Sequence, residues 1–445
     1  MIIALPRFSQ IKNTLINALL LGNKSTPELW GILTVYFVQG ILSLARLAIS
    51  FFLKENLGLP PAQMSALTGI AALPWVIKPV FGFISDSLPI FGYRRRPYLI
   101  LSGVLGSFAW LMLGTIVDNL WSATVSLLLV SVSIAISDVI VDSLVVERAR
   151  KESLGQVGSL QSLTWGTSAL GGVITAYLSG WLLQRLSSQT IFIITAIFPL
   201  IVVMVAGLIT EKSVNQNCVN KISSRKPSVK QQLQELWKAF KQKSILFPVV
   251  FIFIWQATPN AESAFFFFIT NELGFGPEFL GLVRLVTSLA TLVGIGIYYK
   301  FLKTVSFQRI LGCGILISSS LGMTMLLLVT HTNRVIGISD RWFSLGDSLV
   351  LTVMGEITFM PILVLSTRLC PKGIEATLFA LLMSILNLSG LVSHELGALL
   401  TKWLGITQTN FDSLWLLVII TNLSTLLPLP FLCWLPATNL RTEEP

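Results

Sequence analysis

Charge is what this sequence lacks. Only 12% of its 445 residues are Asp, Glu, Lys or Arg, against roughly 25% in soluble domains. Apolar residues make up 53%, and the mean hydropathy is +0.77. So few charges cannot cover a soluble surface, and the apolar excess calls for lipid. Histidine is down to two residues. The four cysteines (Cys218, Cys313, Cys370 and Cys433) lack metal-ligand spacing, which argues against a zinc site and against a disulfide framework. No nucleophile constellation and no phosphate-cradling glycine loop is present, so the chain is expected not to be an enzyme and to hold no metal or cofactor. A net charge of +10 would suit nucleic acid. The basic residues, however, are dispersed in short loops between apolar runs and form no basic domain, which excludes that partner.

Apolar runs of membrane-crossing length are present in number. A hydrocarbon core about 30 Å thick takes roughly 20 helical residues. The runs fall at 29–53, 62–84, 97–117, 120–146, 157–183, 189–210, 245–270, 278–302, 307–330, 344–368, 374–403 and 411–434. The expected fold is therefore all-α and integral to the membrane: twelve transmembrane helices in two six-helix halves, 29–210 and 245–434. A basic linker, 211–244, joins them, and tails 1–28 and 435–445 flank them. Most of the 31 Lys/Arg fall in the tails, the linker and the loops on that same side. The opposite loops hold Lys54, Arg185, Arg334, Arg341 and Lys402. Basic residues are retained in the cytoplasm, so the termini and the linker are expected there.

A faint repeat relates the halves. At one constant offset Asp138 aligns with Glu356, Arg150 with Arg368, Gly155 with Gly373 and Gly172 with Gly390. Spans four and five thereby match ten and eleven in the same orientation, as in halves related by an axis along the membrane normal. The architecture resembles the major facilitator superfamily.

Between spans two and three the chain reads Gly82-Phe-Ile-Ser-Asp86, then Ser-Leu-Pro-Ile-Phe, then Gly92-Tyr-Arg94-Arg95-Arg96. This resembles the superfamily's cytoplasmic loop signature with a lengthened middle. Glycines there permit close helix approach, and Asp86 can hold neighbouring helix ends by charge-assisted bonds that break on rocking. The lengthened form, with Pro74-Trp-Val-Ile-Lys78-Pro79 before it, resembles the folate-biopterin transporter family. So do Ser137-Asp138 through Asp142 to Glu147-Arg148-Ala-Arg150, Thr258-Pro-Asn-Ala-Glu262 leading into Phe265 to Phe268, and Arg368-Leu-Cys-Pro-Lys-Gly-Ile-Glu375 through Phe379. The resemblance implies a carrier of folates or reduced pteridines in a bacterial, cyanobacterial, inner membrane.

The ionisable residues inside the spans carry a separate argument. An ionised side chain at a helix centre costs about 2.5–3.5 kcal/mol on insertion scales, so each needs a partner or a cavity. Asp138 and Asp142, four apart, share a face of span four and are suited to carrying a proton; Lys78, Arg46 or a neighbouring hydroxyl is the structural alternative. Arg46, Lys78 and Arg284 are candidates to meet the carboxylates or planar ring of a folate, through guanidinium forks and stacking. Glu262 follows Pro259-Asn260, where span seven is expected to break. Glu356, His394 and Glu395 complete the set as proton or polar-edge contacts.

These features predict a secondary transporter moving folate or a related pterin by alternating access, coupled to protons and acting as a monomer in the bilayer. Export of drugs or other organic ions is the alternative on the same fold. A membrane-embedded prenyltransferase would use Asp138-x-x-x-Asp142 on a magnesium diphosphate, but its second acid-rich motif is missing.

Overall fold

A computed structural model describes residues 20, 23–149, 154–211, 241–302, 305–368 and 375–435. Most of both tails, most of the basic linker, Arg150 and the 369–374 part of the last family motif lie outside the described residues, as do the side chains of Arg368, Glu375 and Phe379.

The described residues are overwhelmingly helical and form no named strand. Ten helices are long and apolar enough to cross a bilayer. In chain order they are α1 (Pro27–Asn56), α2 (Pro61–Ser87), α3 (Arg96–Thr115), α4 (Leu120–Ala149), α6 (Ser188–Leu208), α8 (Pro277–Leu302), α9 (Phe307–Val329), α10 (Asp340–Arg368), α11 (Glu375–Trp403) and α12 (Leu414–Trp434). Two further helical segments fill the gaps in that order. α5 (Leu154–Leu183) is continuous over 30 residues. α7 is broken into Lys243–Gln256 and Glu262–Phe267, with a wide turn Phe268–Glu272 after it.

Local chemistry sets the ends and breaks. Thr26 caps α1, accepting from the Leu29 amide at 3.2 Å, with Pro27 pre-set for the first turn. α2 is interrupted at Ala72 and Ile77, each just before the Leu73-Pro74 and Lys78-Pro79 steps, because a proline ring removes a donor and crowds the preceding turn. The expected break in α7 falls at Pro259-Asn260, and the chain resumes its helix at Glu262.

The linker side is where α6 ends and α7 begins; the opposite face is the far side. The halves meet along α5–α8 and α2–α11. On the far side, Gly180 of α5 lies against Gly281 of α8, where a Cβ on Gly281 would stand 2.9 Å from the Gly180 Cα. Only glycine permits that approach. Lys54 Nζ donates to Thr270 at 2.8 Å, Gln408 to the Gly58 carbonyl at 2.7 Å, and Tyr177 to Glu278 at 3.0 Å. These bonds close the far side across the two halves. Large apolar side chains such as Phe108, Ile197, Met204 and Leu399 are exposed on the helix exteriors, the surface of a multi-pass integral membrane protein.

Candidate functional site

The acid pair of α4 is partnered from two helices. Lys78 of α2 is ion-paired to Asp138 and lies 3.9 Å from Asp142. Tyr36 of α1 donates its hydroxyl to Asp142 at 2.6 Å. Pro79 and the interruption at Ile77 start a fresh helix at Lys78, which sets the ammonium beside α4. The same ammonium stands 4.9 Å from the centre of the Trp75 ring, a cation–π contact. The structural alternative for the pair, a lysine and a hydroxyl, is thus present. Yet the two acids differ in access: the Asp138 side chain is 16% exposed and that of Asp142 is 54% exposed. Asp142 keeps this partial exposure although it lies within a 30-residue helix and is held by Lys78 and Tyr36.

A second cluster joins the halves. Arg284 of α8 donates to the Ser43 carbonyl at 3.4 Å, at the point where α1 is interrupted between Ile41 and Leu44. Arg46 and Glu262 are within electrostatic range of Arg284, and Arg46 and Glu262 are likewise within range of His394. Arg46 and Glu262 are exposed although both belong to span segments. The four sequence candidates Arg46, Arg284, Glu262 and His394 are therefore brought together from α1, α8, α7 and α11. Two guanidinium groups and one carboxylate leave the cluster net cationic, which suits an anionic ligand.

The other candidates go elsewhere. Glu356, the repeat mate of Asp138, is taken up in the α8–α10 contact, where Thr291 donates to it at 3.4 Å and Gly294 packs against its Cβ. Glu395 turns toward Gly69 of α2, and its Oε1 has no hydrogen-bond partner. His394, besides its place in the cluster, accepts from Ser65 through its backbone carbonyl at 2.9 Å, and its Nδ1 has no partner among the described residues.

The loop between α2 and α3 ties helix ends together. Arg95 bonds Asp86 and Glu147, each at 2.9 Å, and Ser85 at 3.2 Å. Phe91 and Gly92 take positive φ, 52° and 79°, which makes the tight turn and explains the glycine. Gly82 lets α2 approach Val139 of α4, where an added Cβ would stand 3.3 Å away. Arg148 reaches Thr26 at 2.8 Å and the Lys24 carbonyl at 2.9 Å, tying α4 to the start of α1.

Three groups escaped the sequence reading. Glu211 accepts from the amides of Arg94, Arg95 and Arg96 at 2.5, 3.1 and 3.2 Å, a carboxylate cap on the start of α3. Arg96 turns its Nε to the Ile209 carbonyl beside it. An acid just past span six, facing Arg-Arg-Arg-Pro at the start of span three, was the available signal. Ser393 and Gly397 pin the broken part of α7. Ser393 accepts from the Asn260 amide through its carbonyl at 3.0 Å and donates its hydroxyl to the Thr258 carbonyl at 2.5 Å; any Cβ at Gly397 would overlap the Asn260 carbonyl.

Long apolar helices that bring ionisable side chains together from both halves suit a membrane transporter. Solved structures of that class share the fold: a nucleoside transporter (TM-score 0.69, 14% identity, 91% of this chain and 99% of that one) and a D-xylose-proton symporter (TM-score 0.66, 14% identity, 93% and 99%). A family model, BT1 family, matches residues 39–444. The chain is 60% identical to a folate-biopterin transporter of Synechocystis sp., over 98% of this chain and 87% of that one. It is 32% identical to a Plasmodium falciparum protein named folate transporter 2, over 91% and 88%. This chain belongs to the BT1 family, that of the folate-biopterin transporters. Its relatives are transporters and not enzymes.

Proposed function

We propose that this chain is a twelve-helix secondary transporter that moves folate or a related pterin by alternating access, with a proton as co-substrate. α5 and the broken α7 supply the two crossings beyond the ten long apolar helices. The reading rests on one observation above the others: an ion-paired acid cluster, Lys78–Asp138–Asp142–Tyr36, leaves the Asp142 side chain half exposed, and α1, which supplies Tyr36 to it, also carries Arg46 of the cationic cluster with Arg284. The guanidinium groups receive the substrate's carboxylates. Asp142 and Glu262, the two accessible carboxylates, take and release the proton, which balances the charge added by an anionic cargo. The far-side bonds of Lys54, Gln408 and Tyr177 hold one end shut. Opening them requires the Arg95–Asp86–Glu147 clamp and its surroundings to rearrange on the other side. The linker side is cytoplasmic in this reading, the membrane is a bacterial inner membrane, and the carrier works as a monomer.

Labelled folic acid uptake by a folate-uptake-deficient cell producing the full chain tests the substrate. The expected result is saturable accumulation that unlabelled biopterin inhibits. Absence of accumulation by protein that reaches the membrane would overturn the assignment and favour other organic ions.

A further inference from the structure

Gln39 of α1 is a polar residue in the middle of a span that none of the interactions above uses. Tyr36, Gln39, Ser43 and Arg46 are spaced three, four and three apart, so they form one stripe along the helix. The interruption at Leu42–Ser43 keeps helical dihedrals at both residues, so the stripe persists through it. Its ends are already placed. Tyr36 bonds Asp142, the Ser43 carbonyl accepts from Arg284, and Arg46 belongs to the cationic cluster. Gln39 therefore sits on the same face, between the acid cluster and the arginines, about 10 Å along the axis from Arg46 at 1.5 Å per residue.

Its chemistry is unfinished. The amide Nε2 is out of contact with solvent and has no hydrogen-bond partner, and no bond to the Gln39 side-chain oxygen is made by the described residues. The other side chains of the stripe that face polar neighbours are bonded: the Tyr36 hydroxyl to Asp142 and the Ser43 hydroxyl to Thr175 at 2.7 Å. A buried amide nitrogen with no acceptor, in a span where a leucine would cost nothing, is destabilising unless something completes it. The opposite side of α1 is sealed by small-residue packing. A Cβ at Gly40 of α1 would overlap the Ser168 carbonyl of α5, and one at Gly171 of α5 would stand 2.7 Å from the Phe37 carbonyl of α1.

We propose that Gln39 is a specificity-determining residue for the transported molecule, its amide pairing with a planar ring edge that presents a donor beside an acceptor. A pterin lactam has that edge; the aminobenzoyl-glutamate portion of a folate has no such ring edge and carries its carboxylates toward the arginines instead. The inference rests on the folate reading above and adds which end of the substrate faces which part of α1. The stripe predicts that ring recognition and carboxylate recognition are separable.

The test uses the full chain in proteoliposomes, with labelled folic acid uptake inhibited by unlabelled biopterin or by p-aminobenzoylglutamate. Gln39→Met is expected to weaken inhibition by biopterin about tenfold, the loss of roughly one hydrogen bond, and to leave inhibition by p-aminobenzoylglutamate within about twofold. Equal weakening of both inhibitors, or no change in either, overturns the proposal. If Gln39→Met does not assemble, Gln39→Glu, which keeps the shape and removes the donor, carries the same comparison: a split supports the proposal and its absence overturns it. Wild-type protein that moves none of these compounds sinks the folate reading and this inference together. Wild-type transport without a split sinks the inference alone.

Discussion

The two halves hold their intramembrane polar groups by different means. In the first half the means is charge: Lys78 on Asp138 and Asp142, Arg95 on Asp86 and Glu147, and the Glu211 carboxylate on three amides of α3. In the second half it is neutral hydrogen bonds and close approach. Thr291 donates to Glu356, Thr324 to Asp347 at 2.5 Å, and Ser393 and Gly397 hold the broken α7. Among the described residues, the Lys/Arg–carboxylate pair within the second half is Arg334–Asp340, at the far-side end of α10. The repeat makes the contrast sharp, since Asp138 and Glu356 occupy matching places. One acid has a lysine on the neighbouring helix, and the other has a threonine. Sequence at the helix–helix contact, and not position along the repeat, decides which partner such an acid meets.

Substitutions in each half sharpen or break this comparison, and their expected effects span a wide range. Lys78→Met should cost most, roughly 3 kcal/mol in a denaturant titration in mixed micelles, because it strands a largely enclosed carboxylate. Adding Asp138→Asn should restore most of that loss, and a double-mutant cycle that finds no coupling would remove the ion pair from the account. Gly397→Ala is next: its Cβ overlaps the Asn260 carbonyl, so about 2 kcal/mol of overpacking is expected, read as a lowered unfolding midpoint. Glu211→Gln keeps the shape of the α3 cap and loses its charge, and should cost about 1 kcal/mol by the same titration, with the loss shrinking at high salt. Glu356→Gln should be the mildest, within about 0.5 kcal/mol, because an amide oxygen still accepts from Thr291. A Glu356→Gln loss as large as that of Lys78→Met would mean the halves do not differ as described.

Much of the architecture was legible in the sequence because it follows from apolar run length and from prolines. The long apolar helices coincide with predicted spans, and the α7 break falls at Pro259-Asn260. Lys78 as partner of Asp138 was legible as an alternative, since an intramembrane acid needs a cation within reach. What could not be read is which helices touch. Glu211 stands far along the chain from the Arg94–Arg96 amides it caps, and the acid past span six does not by itself say which helix start it meets. Ser393 and Gly397 look like ordinary small residues of a packed helix until the opened backbone of α7 lies against them. Glu356 was grouped with the interior acids on the strength of the repeat. The repeat aligns it with Asp138 in sequence, but it carries no information on the neighbour across the contact. The α1 interruption at Ile41–Leu44 has no proline to announce it; it coincides with the Gly40 approach to α5 and with the Ser43 carbonyl that Arg284 meets.

The central claim is that Asp142 couples a proton to substrate movement. Its most direct test is uptake of labelled folic acid into proteoliposomes under an imposed pH gradient, for the wild type and for Asp142→Asn, with internal pH followed in the same vesicles. The account predicts gradient-driven accumulation accompanied by proton entry in the wild type, and loss of both in Asp142→Asn while folate still binds. Accumulation that ignores the gradient, or an Asp142→Asn carrier that accumulates folate and protons like the wild type, would contradict it.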